Sequence, residues 1–291
     1  MTWTLRLQQK LALQPPADAL AYLRANAAIV RRTIAGLPPH GGKAHPAAGA
    51  RAVINLPAVH APAFCNDRYR NGYELGRIRV GWLGGVSRRE KVDRALPLAG
   101  APYPPPDPYR RVYFAAAELN GAGIRYFGDY CLVIRPADVH PATVILERNS
   151  YDLLLAPIAD RIRAGAPMGQ EAAAMHGRWM PDLGSMAGLK VLGEAARERL
   201  LTTGLISDAL LADEDYLEVL HATPVDAPAL AEVRTSLDDA AAEERIGAEL
   251  RRGVGPPLTE VVWRRQRRAA EAAFRKAGIG VRVVAGSGRR R

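Results

Sequence analysis

Apolar positions recur at helical spacing in two N-terminal stretches, residues 4–13 and 17–37, which Pro15-Pro16 separates. In the second, Leu20, Leu23, Ala27, Val30 and Ile34 fall on one face, and Gly36 with Pro38-Pro39 stops the pattern. Residues 39–49 read as a Gly/Pro/His loop, and a short strand at 51–56 closes at Pro57. From 60 to 100 the periodicity is weak, with scattered Tyr69, Tyr73, Trp82 and Gly84-Gly85. A stretch of that length without pattern points to a functional or mobile region. APYPPPDPYRR, at 101–111, is a proline-stiffened extended connector.

The clearest alternation lies in RYFGDYCLVIRP, at 125–136. Tyr130, Leu132 and Ile134 point one way, and Cys131 and Val133 the other. Both faces are apolar, which predicts an interior strand that Pro136 ends. Residues 111–119 and 126–134 read as paired elements around the turn Asn120-Gly121. Further strands are expected at 143–147, 215–221, 230–234 and 280–284, and helices at 151–163 and 182–202. Ser236 with Asp239 forms a capping box for a helix to residue 251, and a basic amphipathic helix covers 259–276. Strands and helices alternate without a βαβ rhythm. The expected class is therefore α+β, a mixed or antiparallel central sheet flanked by helices. We divide the chain into an N-terminal helical region, 1–49, and an α+β core, 50–291.

Length and composition change this picture little. A hydrophobic fraction of 48% over 291 residues easily supplies a core. Cys65 and Cys131 are too few for a disulfide framework, which suggests a reducing compartment. Arg6 and Lys10 interrupt any secretory leader, and nothing approaches the roughly 18 apolar residues of a membrane span. A cytoplasmic protein with no membrane partner is expected. The net charge of +10 is arginine-rich in an Ala-, Gly- and Pro-rich chain, a usage that GC-rich bacterial genomes produce on their own. The basic residues cluster only in WRRQRR at 263–268 and in the terminal Gly-Arg-Arg-Arg.

Familiar chemistry-bearing motifs are absent: there is no GxxxxGK[ST], strand-linked GxGxxG, HExxH or GxSxG. None of the six histidines lies four residues from another, and no metal site is expected. Glu218, within DYLEVLH, shares a face with Tyr216 and Leu220. A carboxylate there is costly to bury without partners, so it is either a catalytic group in a cleft or an edge-strand residue facing water. Asp129 opens its strand from a Phe-Gly-Asp turn, as a ligand or as a turn cap. Arg110, Arg111 and Tyr113 follow the proline run, as an anion site or as a solvated pair with its neighbour. Cys65, beside Asp67-Arg68-Tyr69, lacks a paired His and makes a poor nucleophile.

In order along the chain, YRNGYELGRIRVGWLGG (69–85), YRRVYFAAAELN (109–120), RYFGDYCLVIRP, DYLEVLH and KAGIGVRVVAG (276–286) resemble the bacterial family of domain of unknown function 3626. Where that family carries His-Pro-Asp-Arg this chain has Asn55-Leu56-Pro57-Ala58. His60 and His45 are the nearest substitutes, and Leu220 replaces the Gln after the family's Glu. The arrangement is similar, more distantly, to ADP-ribosyltransferases, which use an early Arg or His, a middle aromatic or Ser strand and a late strand bearing a Glu. That resemblance implies NAD as substrate and a macromolecule as target. Glu218 would be the catalytic carboxylate, Tyr113 or Tyr126 the nicotinamide clamp, Arg68 or Arg111 the anchor, and Asp129 a further cofactor contact. The alternative is a non-enzymatic protein binding nucleic acid or an acidic partner through Arg264, Arg265, Arg267 and Arg268.

Overall fold

A computed structural model describes residues 2–12, 28–35, 49–78, 87–98, 107–195 and 216–285. Trp82, Gly84-Gly85, His45, most of the expected 17–37 helix, the prolines at 104–106, residues 196–202 and the terminal arginines lie outside these residues.

The strands form an eight-stranded mixed sheet, which makes the class α+β. They are β1 (Arg51–Leu56), β2 (Tyr113–Glu118), β3 (Tyr130–Ile134), β4 (Val144–Leu146), β5 (His176–Arg178), β6 (Glu218–His221), β7 (Leu230–Ser236) and β8 (Val281–Val284). Their order is β5-β4-β6-β2-β1-β3-β7-β8, antiparallel throughout except for the parallel pair β7 and β8. The described helices are α1 (Trp3–Ala12), α2 (Ala61–Asn66), α3 (Arg88–Ala95), α4 (Ile158–Arg163), α5 (Met168–Met175), α6 (Trp179–Ala195), α7 (Leu237–Arg251) and α8 (Leu258–Lys276), with helical turns also at 28–34.

Alternation along β1 explains how the sheet separates two layers. Ala52, Ile54 and Leu56 join Tyr130, Leu132, Ile134 and Val219 on one face, packed with Leu7, Phe64, Leu183 and Phe274 from the helices. Trp3, Ile29, Val30 and Ile34 belong to this same cluster, so the described N-terminal segments share the core of the sheet. Val53, Ala116, Cys131 and Val133 point to the opposite face, where Ile124 and Tyr216 cover them. β3 is buried along its whole length, as a strand apolar on both faces must be.

Two expectations are corrected. Residues 111–119 and 126–134 do not pair with each other: β1 lies between them, with Val53 opposite Ala116 on one side and Val133 on the other. The Asn120-Gly121 turn begins a longer crossing over the end of β1. Arg234 Nη1 holds that crossing by donating to the carbonyls of Leu119 and Gly121. The expected helix at 151–163 is a 3-10 turn, Ser150–Leu154, followed by α4. Pro157 divides them because it has no N–H to donate and biases the preceding residue away from helix. The capping box is present: Ser236 Oγ accepts from the Asp239 amide at 3.1 Å.

Candidate active site

β6 is an interior strand between β4 and β2, so Glu218 cannot face water from a sheet edge. The side chain is 1% exposed and lies at the bottom of a cleft of about 780 Å³ on the second face of the sheet. Its Oε2 accepts from the Ser150 amide at 2.8 Å, and Oε1 lies 3.4 Å from the donating Tyr216 hydroxyl. Burial pushes the Glu218 pKa above the ordinary carboxylate range, and the charge of Arg89 works against that rise. Burial together with Glu218 raises the Tyr216 phenol in turn.

Arg89 comes from α3, whose first turn is fixed where Ser87 Oγ accepts from the Glu90 amide. Its Nε lies 2.9 and 3.0 Å from the two Asp93 oxygens. The Asp93 side chain is fully buried and accepts from the Tyr73 hydroxyl at 2.6 Å. The Arg89 guanidinium stacks on Phe114, 4.1 Å from the ring centre, and stands 5.5 Å from that of Tyr151. Burial opposes its charge, but Asp93 and then Glu218 outweigh it and hold the guanidinium pKa above its usual value. Aromatic side chains thus surround the carboxylate: Phe114, Tyr151 and Tyr216, with Phe127 edge-on to Tyr216 at 6.3 Å. Arg77 and Arg88 line the same cleft and are exposed. Arg77 Nη2 meets His60 Nε2 at 2.6 Å, and burial, followed by the charge of Arg77, lowers the His60 pKa.

Of the residues singled out in the sequence, Glu218 stands at the floor of this cleft and Asn55, Tyr69 and Tyr216 line it, whereas Arg68, Arg111, Tyr113, Tyr126 and Asp129 stand elsewhere. Tyr113 points to the opposite face, where its hydroxyl donates to Glu74 at 3.4 Å and its ring meets Tyr69 edge-on at 6.3 Å. Arg68 joins that group through Glu74 at 2.8 Å. Arg111 is exposed at the end of a 3-10 turn, and Tyr126 is 55% exposed and edge-on to Phe127. Asp129 ties elements together: Oδ2 accepts from the Ala58 amide at 2.9 Å and Oδ1 from the Trp263 indole at 2.8 Å. Asn55 donates to the Ala122 and Gly128 carbonyls and accepts from the Ile124 amide at 2.7 Å. Cys65 is a free thiol whose pKa burial raises, which disfavours a thiolate.

Sequence reasoning passed over Arg89, Phe114 and Tyr151. The one available signal was the i, i+4 spacing of Arg89 and Asp93, that of a helical ion pair, in a stretch where weak periodicity gave no helix.

The basic helix is more complicated than its sequence. Arg267 is fully buried, with its guanidinium 4.8 Å from the Tyr130 ring and 5.1 Å from that of Trp263. It donates to Glu243 at 3.0 Å and to Thr235 at 3.1 Å. Arg264 donates to the Glu243 carbonyl, whereas Arg265 and Arg268 are exposed. A groove of about 910 Å³ between α7, α8 and β8 is lined by acidic and basic side chains together. Among the described residues no cluster of His, Cys, Asp or Glu has the make-up of a metal site, and no helix is long and apolar enough to cross a membrane.

No protein-family model, no curated protein and no solved structure matches this chain.

Proposed function

We propose that the chain is an enzyme that cleaves the nicotinamide–ribose bond of NAD, releasing ADP-ribose to water or to a macromolecular target. The observation that carries this reading is the buried Glu218 carboxylate at the floor of an aromatic cleft whose outer part holds Arg77 and Arg88. β1, β2 and β6 take consecutive places in the sheet, so the strand that bears Phe114 and the strand that bears Glu218 share one surface of the cleft.

Breaking the C1′–N bond leaves positive charge on the ribose ring and sends the bonding electrons to the nicotinamide nitrogen. A preorganised carboxylate in a water-poor site stabilises that developing charge and accepts a hydrogen bond from the ribose 2′-hydroxyl. Glu218 fills this role, oriented by the Ser150 amide and the Tyr216 hydroxyl. Tyr151 and Phe127, both exposed in the cleft, offer flat surfaces for the nicotinamide, and Arg77 and Arg88 suit the diphosphate.

Nicotinamide release from labelled NAD, compared between the chain and Glu218→Gln, tests the proposal. The expected result is turnover by the former and at least a hundredfold loss in the latter. Equal background release from both would end the reading.

A further inference from the structure

The proposed reaction needs Glu218 charged, yet β6 places it where a lone carboxylate is most costly. Its surroundings are few. Tyr216 precedes it on its own segment, and the 3-10 turn Ser150–Leu154 presents the Ser150 amide, Tyr151 and Asp152. From α3 come Arg89 and, behind it, Asp93, which Glu90 and Tyr73 adjoin, and the cleft's other cations, Arg77 and Arg88, are exposed to solvent. Asp152 lies 3.7 Å from Arg148. Arg89 is therefore the cation of this set that bears on Glu218.

Its position is fixed from two directions. Phe114 pairs with Leu220, and Ala116 with Glu218, so the ring under the guanidinium stands one pleat from Glu218 on the same face of the sheet. Diagonal neighbours of this kind bring long side chains within reach of each other. From behind, the Asp93 carboxylate grips Nε, and the Tyr73 hydroxyl locks Asp93. A side chain as flexible as arginine, 19% exposed, is held here by an aromatic stack and by an ion pair to a tethered counterion.

We propose that Arg89 is the positioning residue of this site, a fixed cation that keeps the buried Glu218 side chain ionised while the Ser150 amide and the Tyr216 hydroxyl orient it. Asp93 and Tyr73 act through Arg89, by holding it over Phe114. This assignment rests on Glu218 being the working carboxylate, but its test does not need turnover.

The decisive measurement follows the Glu218 side-chain carboxyl by 13C NMR across pH, assigned by its loss in Glu218→Gln. Arg89→Met removes the charge and keeps the length of the chain. A companion Arg89→Met/Asp93→Asn protein removes the pair, so that no buried carboxylate is left facing an apolar side chain. The expected result is an ionisation midpoint at least one pH unit higher in both variants than in the parent, with Arg89→Lys in between. For NAD release, kcat at pH 7 should fall about tenfold or more in Arg89→Met and recover as pH rises, with KM changing less. A Glu218 midpoint that stays at the parent value in the variants overturns the proposal. Absence of NAD turnover in the parent tells against the reaction and leaves the carboxyl titration to judge Arg89.

Discussion

Glu218 illustrates at the scale of one residue how function and stability oppose each other. Burial raises its pKa, so the folded protein holds this proton more tightly than the unfolded chain does. The contribution to stability is complete below the unfolded-state value of about 4.5 and is lost as pH rises through the higher folded-state value. Glutamine mimics the protonated form and does not lose it. Thermal melts of the parent and Glu218→Gln should therefore diverge with rising pH, the variant being the more stable at pH 8, and a gap that is constant from pH 4 to 8 would contradict the burial argument. His60 behaves in the opposite sense. Its lowered pKa means that the stability linked to its neutral form is present above about 6.5 and is lost as pH falls through the folded-state value. Protonation sets two cations against each other where Arg77 now meets a ring nitrogen. Nucleotide affinity that depends on Arg77 should change between pH 7 and pH 5 in the parent and much less in His60→Gln, as calorimetric titration would show.

At the scale of elements, Asp129 shows how a turn residue gains structural weight. It joins the end of β1 to α8 through two charge-assisted hydrogen bonds, and the chain comes so close at Gly128 that an added Cβ would lie 2.3 Å from the Leu56 carbonyl carbon. Asp129→Ala should cost about 3 kcal/mol in urea unfolding with an unchanged slope, since it removes contacts without altering the surface exposed. Ser236→Ala, at the cap of α7, should cost about 1 kcal/mol by the same assay. The elements that could be read from sequence were those whose signal is local. β3 showed apolar residues on both faces, α7 carried its capping box, and α8 read as a basic amphipathic helix, although the burial of Arg267 in its inner face was not foreseen. The pairing of β2 and β3 was misread because Asn120-Gly121 signals a local hairpin, whereas a strand sixty residues earlier in the chain takes the place between them. The site divided in the same way. Glu218 announced itself as a carboxylate among apolar neighbours. Arg89 did not, because its burial depends on the register of β2 against β6 and on an aromatic ring 25 positions away.

For the whole molecule, the cleft is built from parts distant in sequence, so a ligand that fills it ties α3 and the Ser150–Leu154 turn to the sheet. NAD at ten times its dissociation constant should add about 1.4 kcal/mol to stability, read as a rise in Tm that Glu218→Gln retains while turnover is lost. The sheet order has another consequence. β6 lies between β4 and β2, so a growing chain has both neighbours before it has the strand that joins them. Until residue 218 arrives, β2 and β4 each present an unsatisfied edge to any passing strand. A polypeptide of residues 1–195 made alone should aggregate. The same polypeptide made together with residues 196–291 should recover a soluble one-to-one complex on size-exclusion chromatography, because the missing strand completes the sheet from a second molecule. The residue that carries the proposed chemistry is thus carried by the strand that closes the sheet, and a chain still assembling has no site with which to act on NAD.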